Sequence, residues 1–241
     1  MTGDALGPRS VNNDQLPKPD ASQELPLGTV ETNWRDLAGQ RPGAMAREQA
    51  LALKDAAPVR TLVARMLRVH TDERAWRIGA DGEEKVAAQL AKLARKDPRW
   101  TFFHAIPVGE KGADIDHLVI GPGGVFSLNA KHHPGAKVWV GGDTFMVNGR
   151  RLPYVRNSRH EASRATKLLT AACGFPVQVT GIVVPVGAED VTIKTSPVDV
   201  HVVYRTRLVR WLRAQPPVLL DAHIEAIFDV ARRSTTWQPS H

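Results

Sequence analysis

Residues 114–131 read DIDHLVIGPGGVFSLNAK, two short runs, DIDHLVI (114–120) and VFSLNAK (125–131), on either side of Gly121-Pro122-Gly123-Gly124. Strand-forming residues flanking a Gly/Pro-rich break predict an antiparallel hairpin. Closing it around the four turn residues sets Ile120 opposite Val125, Asp116 opposite Asn129 and Asp114 opposite Lys131. Opposed residues leave a sheet on one face, and that face recurs at every second residue. Asp114, Asp116, Asn129 and Lys131 are therefore expected as one polar cluster at the open end of the hairpin, with Leu118 and Ile120 continuing the face toward the turn. A slip of one residue would separate the acids from the amide and the lysine. Taken alone, the cluster also reads as a cross-strand ion pair on an exposed hairpin end.

Upstream, a helix predicted over about 81–95 puts Glu83 three residues before Val86 and seven before Leu90, on the stripe that faces the core. A carboxylate there needs a partner; the other reading is a first-turn acid favoured by the helix dipole. Glu84 and Lys85 lie off that stripe. A strand is expected at 100–106 before the hairpin. After it come strands at 137–140 and 144–147, a polar basic loop, a helix at 158–172, strands at 177–184 and 198–204, and helices at 207–214 and 221–233. The sum is a mixed α/β fold around a hairpin-containing central sheet. Residues 1–45 carry Pro8, Pro17, Pro19, Pro26 and Pro42 without periodicity and are expected to be a disordered tail. Residues 46–75, rich in Ala and Leu and interrupted at Pro58, are expected to be a helical lead-in; 76–190 form the compact domain and 191–241 complete the fold.

The chain has 241 residues, 42% hydrophobic and 24% charged, which fits one good-sized domain with tails and excludes whole-chain disorder or a long coiled coil. Cys173 is the only cysteine, so an intramolecular disulfide and any Cys-based zinc or iron–sulfur site are excluded, and a reducing cytoplasm is the expected compartment. No run reaches the roughly 18 apolar residues of a membrane span, and residues 1–10 lack the basic-then-apolar order of an export signal. Neither a membrane span nor export is expected. The net charge is +7 and unevenly placed: residues 1–45 hold four basic and six acidic residues (−2), and residues 46–241 hold 28 and 19 (+9). An excess confined to the compact part favours a polyanionic partner. The sequence has no P-loop, G-x-S-x-G, H-E-x-x-H or G-x-G-x-x-G, so nucleotide hydrolysis, serine esterase chemistry, zinc proteolysis and dinucleotide binding lack support.

Gly79-x-x-Gly82-Glu83, then Asp114-Ile115-Asp116-His117 with an apolar tail, then Gly124-Val125-Phe126 and a strand ending in Asn129-x-Lys131 resemble the nuclease-related domain (NERD) family over about 76–190. That family is similar to the restriction-endonuclease-like superfamily of PD-(D/E)xK nucleases. The resemblance implies a restriction-endonuclease-like α/β core in which a helix glutamate, a strand aspartate and a Glu-x-Lys strand hold Mg²⁺, or Mn²⁺ in its place, for phosphodiester hydrolysis. On this sequence Glu83 matches the helix glutamate, Asp116 the strand aspartate and Lys131 the lysine. Asn129 stands where the pattern has glutamate, and an amide in place of a carboxylate removes a unit of charge from a site for a hard divalent cation. Two acids are candidates to restore it. Asp114 lies two residues before Asp116 on the same face, and Glu161 stands where the family often has a glutamine early in the following helix. Glu161 also completes Ser158-x-x-Glu161, a capping box.

Residues 149–167 carry Arg150, Arg151, Arg156, Arg159, Arg164 and Lys167 against Glu161 alone, a local +5. With Tyr154 available to stack on a base, this strip is the expected nucleic-acid surface, or else a solvated basic face. His132 and His133 follow Lys131 and are expected on opposite sides of their strand. Three functions compete: a metal-dependent nuclease, an inactive nucleic-acid-binding module that keeps the fold, and a protein-interaction domain built on the tail and lead-in.

Overall fold

The hairpin forms in the register read from its turn. Strand β2 (Ala113–Gly121) pairs antiparallel with β3 (Gly124–His132), Ile120 against Val125 and His117 against Leu128, and Gly121 against Gly124 leaves a two-residue turn at Pro122 and Gly123. A computed structural model of the protein describes residues 34–43, 62–108 and 113–238. Of the tail expected at 1–45, residues 1–33 and 44–45 lie outside the described residues, as do residues 46–61 of the expected lead-in.

Among the described residues the hairpin is the middle of a five-stranded sheet. Strand β1 (Thr101–Val108) flanks β2 antiparallel; on the other side β7 (Val179–Val186) and then β9 (Val200–Val202) run parallel to β3. A second, four-stranded sheet is built from β4 (Lys137–Gly141), β5 (Thr144–Val147) and β6 (Arg150–Leu152), which lie between β3 and β7 in the chain, and from β8 (Asp190–Thr195), which follows β7 and pairs parallel with β4. The basic loop expected after 147 is thus partly strand β6, whose Arg150 and Arg151 are exposed on an edge. An exposed two-arginine edge strand lacks the apolar alternation by which strands are read from sequence.

Helix α1 (Leu62–Lys96) and helix α2 (Tyr154–Cys173) cover opposite faces of the five-stranded sheet. Val86, Leu90 and Leu93 of α1 join Val119, Phe126 and Leu128 in one core; Ala162, Ala165 and Leu169 of α2 join Leu118, Ile120 and Val125 in the other. Helices α3 (Leu208–Arg213) and α4 (Asp221–Ala231) extend these two cores. The architecture is mixed α/β, a mixed-orientation sheet between helices, as expected. No helix is long and apolar enough to cross a membrane among the described residues.

Two expectations are corrected. The lead-in and the domain helix are one element: α1 runs unbroken from Leu62 to Lys96, so no boundary falls at 76. Between Pro58 and Pro98 no proline interrupts the chain, and the Ala, Leu, Arg, Glu and Lys that dominate it favour helix. Gly82, within this helix, serves packing, since a Cβ there would come 2.7 Å from the Cβ of His132 on β3. Second, residues 34–43 are not part of a tail. Leu37 is fully buried, its N–H donates to the Arg232 carbonyl, and Asp36 is paired with the Arg232 side chain. One apolar side chain in a polar stretch gives no periodic signal, yet a single buried leucine offsets about 1.5–3 kcal/mol of ordering cost.

Candidate active site

The hairpin ladder stops at His117 and Leu128. Beyond it the expected pairing of Asp116 with Asn129 and of Asp114 with Lys131 is replaced by a side-chain contact: Asp116 Oδ2 accepts the Ala130 N–H at 2.8 Å. On its other edge β3 continues against β7, with Asn129 beside Val183 and Lys131 beside Pro185. A carboxylate has taken the place of a ladder partner, and the two strands part there.

Into this opening come acids from both helices. Glu161 sits on the inward face of α2, two turns into the helix. Asn129 Nδ2 donates to its Oε2 at 3.0 Å, while Glu161 Oε1 and Asn129 Oδ1 are both buried without a partner. The capping-box reading fails. α2 begins at Tyr154, no side chain caps it, and Ser158 lies buried in its interior facing Gly181 of β7, where a Cβ would come 2.6 Å from the serine Oγ. Glu83 reaches the same opening from α1, where its Oε2 accepts the Gly43 N–H at 2.8 Å.

The electrostatics bind these groups into one set. Burial, then repulsion from Asp116, raises the Glu83 carboxyl to about 8. Burial raises Asp116 to about 6, with Lys131 opposing the rise. Burial, then repulsion from Asp116, raises Glu161 to about 8, against the Asn129 hydrogen bond and Lys131. Asp114 is also pushed up by burial, and its charge reaches both Glu83 and Glu161. All four carboxyls thus lie in the field of one cation, Lys131. Its Nζ stands 5.1 Å from the centre of the Tyr154 ring.

Among the described residues no group of three or more His, Cys, Asp and Glu stands at metal-holding spacing. The donor chemistry nevertheless fits a hard cation. Glu161 Oε1 and Asn129 Oδ1 are orphaned buried oxygens beside acids that burial, and then like-charge repulsion, keep from ionising freely, a state that a divalent cation would relieve. Asp116, Asn129, Glu161 and Glu83 are the residues that could hold one. Asp114, near Lys131, adds charge to the field.

The basic strip is divided. Arg150, Arg151, Arg156, Arg164 and Lys167 are exposed. Arg159 is occupied: its Nε donates to Asp199 at 2.6 Å and its Nη2 to Asp143 at 2.8 Å. Tyr154 is not a free stacking platform either. It packs edge-on to Phe145, lies stacked with His133 at 5.8 Å, and is hydrogen-bonded to His133 Nε2 at 3.1 Å. The two histidines do point apart: His132 faces α1, bonding the Ile78 carbonyl at 2.6 Å and Lys85 at 3.2 Å. Two features carried no sequence signal. One is the Gly43 donor, and the other is a buried pair in which His104 Nδ1 and His117 Nδ1 lie 2.7 Å apart.

The model of the nuclease-related domain family matches residues 78–186, a stretch that includes Glu83, the hairpin, the basic strip and Glu161. That family belongs to the restriction-endonuclease-like superfamily. No curated protein and no solved structure matches the chain.

Proposed function

We propose that this chain, whose residues 78–186 are a nuclease-related domain, hydrolyses phosphodiester bonds of DNA or RNA with Mg²⁺ or Mn²⁺. The observation that carries the reading is Glu161. A carboxylate turned inward on α2, hydrogen-bonded by Asn129 and with one oxygen unpartnered, returns to the site the charge that Asn129 removes. The same proposal places the protein in the cytoplasm, on its single free cysteine.

Asp116, Asn129, Glu161 and Glu83 would present oxygens to the cation, and the Ala130 N–H fixes the Asp116 carboxylate in the opened hairpin. When bound, the cation polarises the scissile phosphate and lowers the pKa of the attacking water. Lys131, held over the Tyr154 ring, orients that water and offsets the charge gathering on the phosphate oxygens. Arg156, Arg164 and Lys167, exposed on α2, would contact the phosphate backbone.

The second reading is a module that binds nucleic acid without cutting it. It is favoured by the lack of any group of three His, Cys, Asp or Glu at metal-holding spacing among the described residues. A cleavage assay with Mg²⁺ and with Mn²⁺ separates the two. Under the first reading the wild type cuts, Glu161→Gln does not, and adding Asn129→Glu to Glu161→Gln restores part of the rate. An inert wild type that Asn129→Glu alone switches on would establish a lapsed nuclease.

A further inference from the structure

We infer that residues 34–43 form a strap that positions Glu83, so that the working site extends beyond the family-matched domain to an upstream segment held by the C-terminal one. The inference rests on the reading of Glu83 as a cation-holding residue.

Three anchors fix the strap. Leu37 is fully buried in the core cluster that contains Phe103, Ile224, Ile227 and Trp237. Backbone and side-chain bonds tie it to the end of the chain: Leu37 N–H to the Arg232 carbonyl at 2.8 Å, Arg35 N–H to Ser234 Oγ at 2.8 Å, Ser234 N–H to the Arg35 carbonyl at 3.0 Å, and Asp36 to Arg232. Gln40, with its amide turned to satisfy both ends, donates to the carbonyls of His104 and Ala105 on β1. The strap therefore reaches α1 as a fixed object, and its end delivers the Gly43 N–H to Glu83 Oε2.

The last residue of the strap is suited to that delivery. Gly43 has φ +69, the left-handed region that glycine enters without strain. A Cβ there would lie 3.4 Å from Ala80 Cβ, one turn before Glu83, so strap and helix are in close contact. Among the described residues the Gly43 N–H is the hydrogen-bond donor to the Glu83 carboxylate, which otherwise stands in the field of Asp116, Asp114 and Lys131. One oxygen fixed by a backbone donor leaves the other available to a cation, the arrangement by which outer hydrogen bonds orient a ligating carboxylate.

The test uses the full chain and Mn²⁺ as probe, with affinity read by the loss of the free-ion electron paramagnetic resonance signal. Proline at 43 removes the N–H and cannot adopt a positive φ. Alanine keeps the N–H at modest strain. Gly43→Pro is expected to weaken Mn²⁺ binding by about 10-fold or more, with Gly43→Ala retaining most of the affinity and both variants showing a cooperative melt. Wild-type affinity in Gly43→Pro would overturn the inference. If Gly43→Pro fails to fold, Leu37→Ala, which loosens the strap while keeping the N–H, takes its place and is expected to weaken binding. A wild type that binds no Mn²⁺ would refute the proposed function instead. The strap is then judged in the metal-free chain by the Glu83 carboxyl ¹³C resonance, which Gly43→Pro shifts if the strap holds that carboxylate and leaves alone if it does not.

Discussion

The acid-lined opening and the basic strip share helix α2 and differ in almost everything else. In the opening, Glu83, Asp116 and Glu161 are partly enclosed, mutually repelling and raised in pKa, and two oxygens have no partner. On the strip, Arg150, Arg151, Arg156, Arg164 and Lys167 stand in solvent at no energetic cost, and Arg159 is neutralised by two aspartates. Charge density alone marks the strip as the conspicuous feature of this sequence. The unfavourable energetics mark the opening, because only a feature that destabilises the fold requires a compensating ligand.

The largest effect should separate function from stability within the opening. Glu161→Gln keeps an oxygen to accept the Asn129 hydrogen bond but removes a carboxyl that burial disfavours in its charged form. Cleavage is expected to fall by at least about 100-fold while the melting temperature at pH 8 rises. A variant that loses both activity and stability would show that Glu161 serves as structure, and the contrast between the two regions would collapse.

Next in size is the pH dependence of the metal-free fold. Glu83 and Glu161 have folded pKa values of about 8 against an ordinary 4.5, so the folded state binds their protons more tightly than the unfolded chain does. Their contribution is complete below about pH 4.5 and is lost as pH rises toward 8, with the coupled acids titrating as a set rather than singly. A loss of about 3 kcal/mol corresponds to a fall of roughly 6–12 °C in Tm for a chain of this size. Melting curves between pH 5 and pH 8.5 read it directly, and Mg²⁺ should flatten the decline. A flat profile in the metal-free protein would mean that the carboxyls are solvated, as the strip is.

The hairpin and the position of Glu83 were legible because they rest on strict geometry: a turn that fixes register, and a helical period that turns residue 83 toward Val86 and Leu90. What escaped were contacts between distant segments. Gly43, Asp36 and Leu37 lie in a stretch with no periodicity, and their partners, Glu83, Arg232 and the α4 core, are far along the chain. Ser158-x-x-Glu161 misled for a related reason. A capping box and an inward pair on one helix face share the same spacing, and only the start of α2 at Tyr154 decides between them.

A smaller effect probes how Lys131 is held. Tyr154→Phe keeps the ring beneath its Nζ and loses the hydroxyl bonded to His133, whereas Tyr154→Leu loses both. Cleavage rate in the first should stay within about threefold of wild type and in the second fall about tenfold, between the scales of an exposed and a desolvated cation–π contact. Equal losses would assign the role to the hydroxyl.

The smallest effect tests the strip against itself. Arg156 is exposed and has no ion pair among the described residues, so Arg156→Ala should lower the slope of log affinity against log salt for nucleic acid by about one unit, the release of one phosphate's counterion. Arg159 differs because its guanidinium already faces Asp143 and Asp199 through three hydrogen bonds of 2.6–2.8 Å. To contact a phosphate it would have to leave two carboxylates unpaired. Arg159→Ala should therefore change the slope by well under one unit, and the small loss of stability expected of a half-exposed pair, about 0.2–1 kcal/mol, should be its main effect. If instead Arg159→Ala flattens the slope as much as Arg156→Ala does, the aspartates are only placeholders for phosphate and all of the strip is available to nucleic acid. The distinction lies in the competition between a local carboxylate pair and an incoming phosphate for one guanidinium, which the salt dependence measures directly.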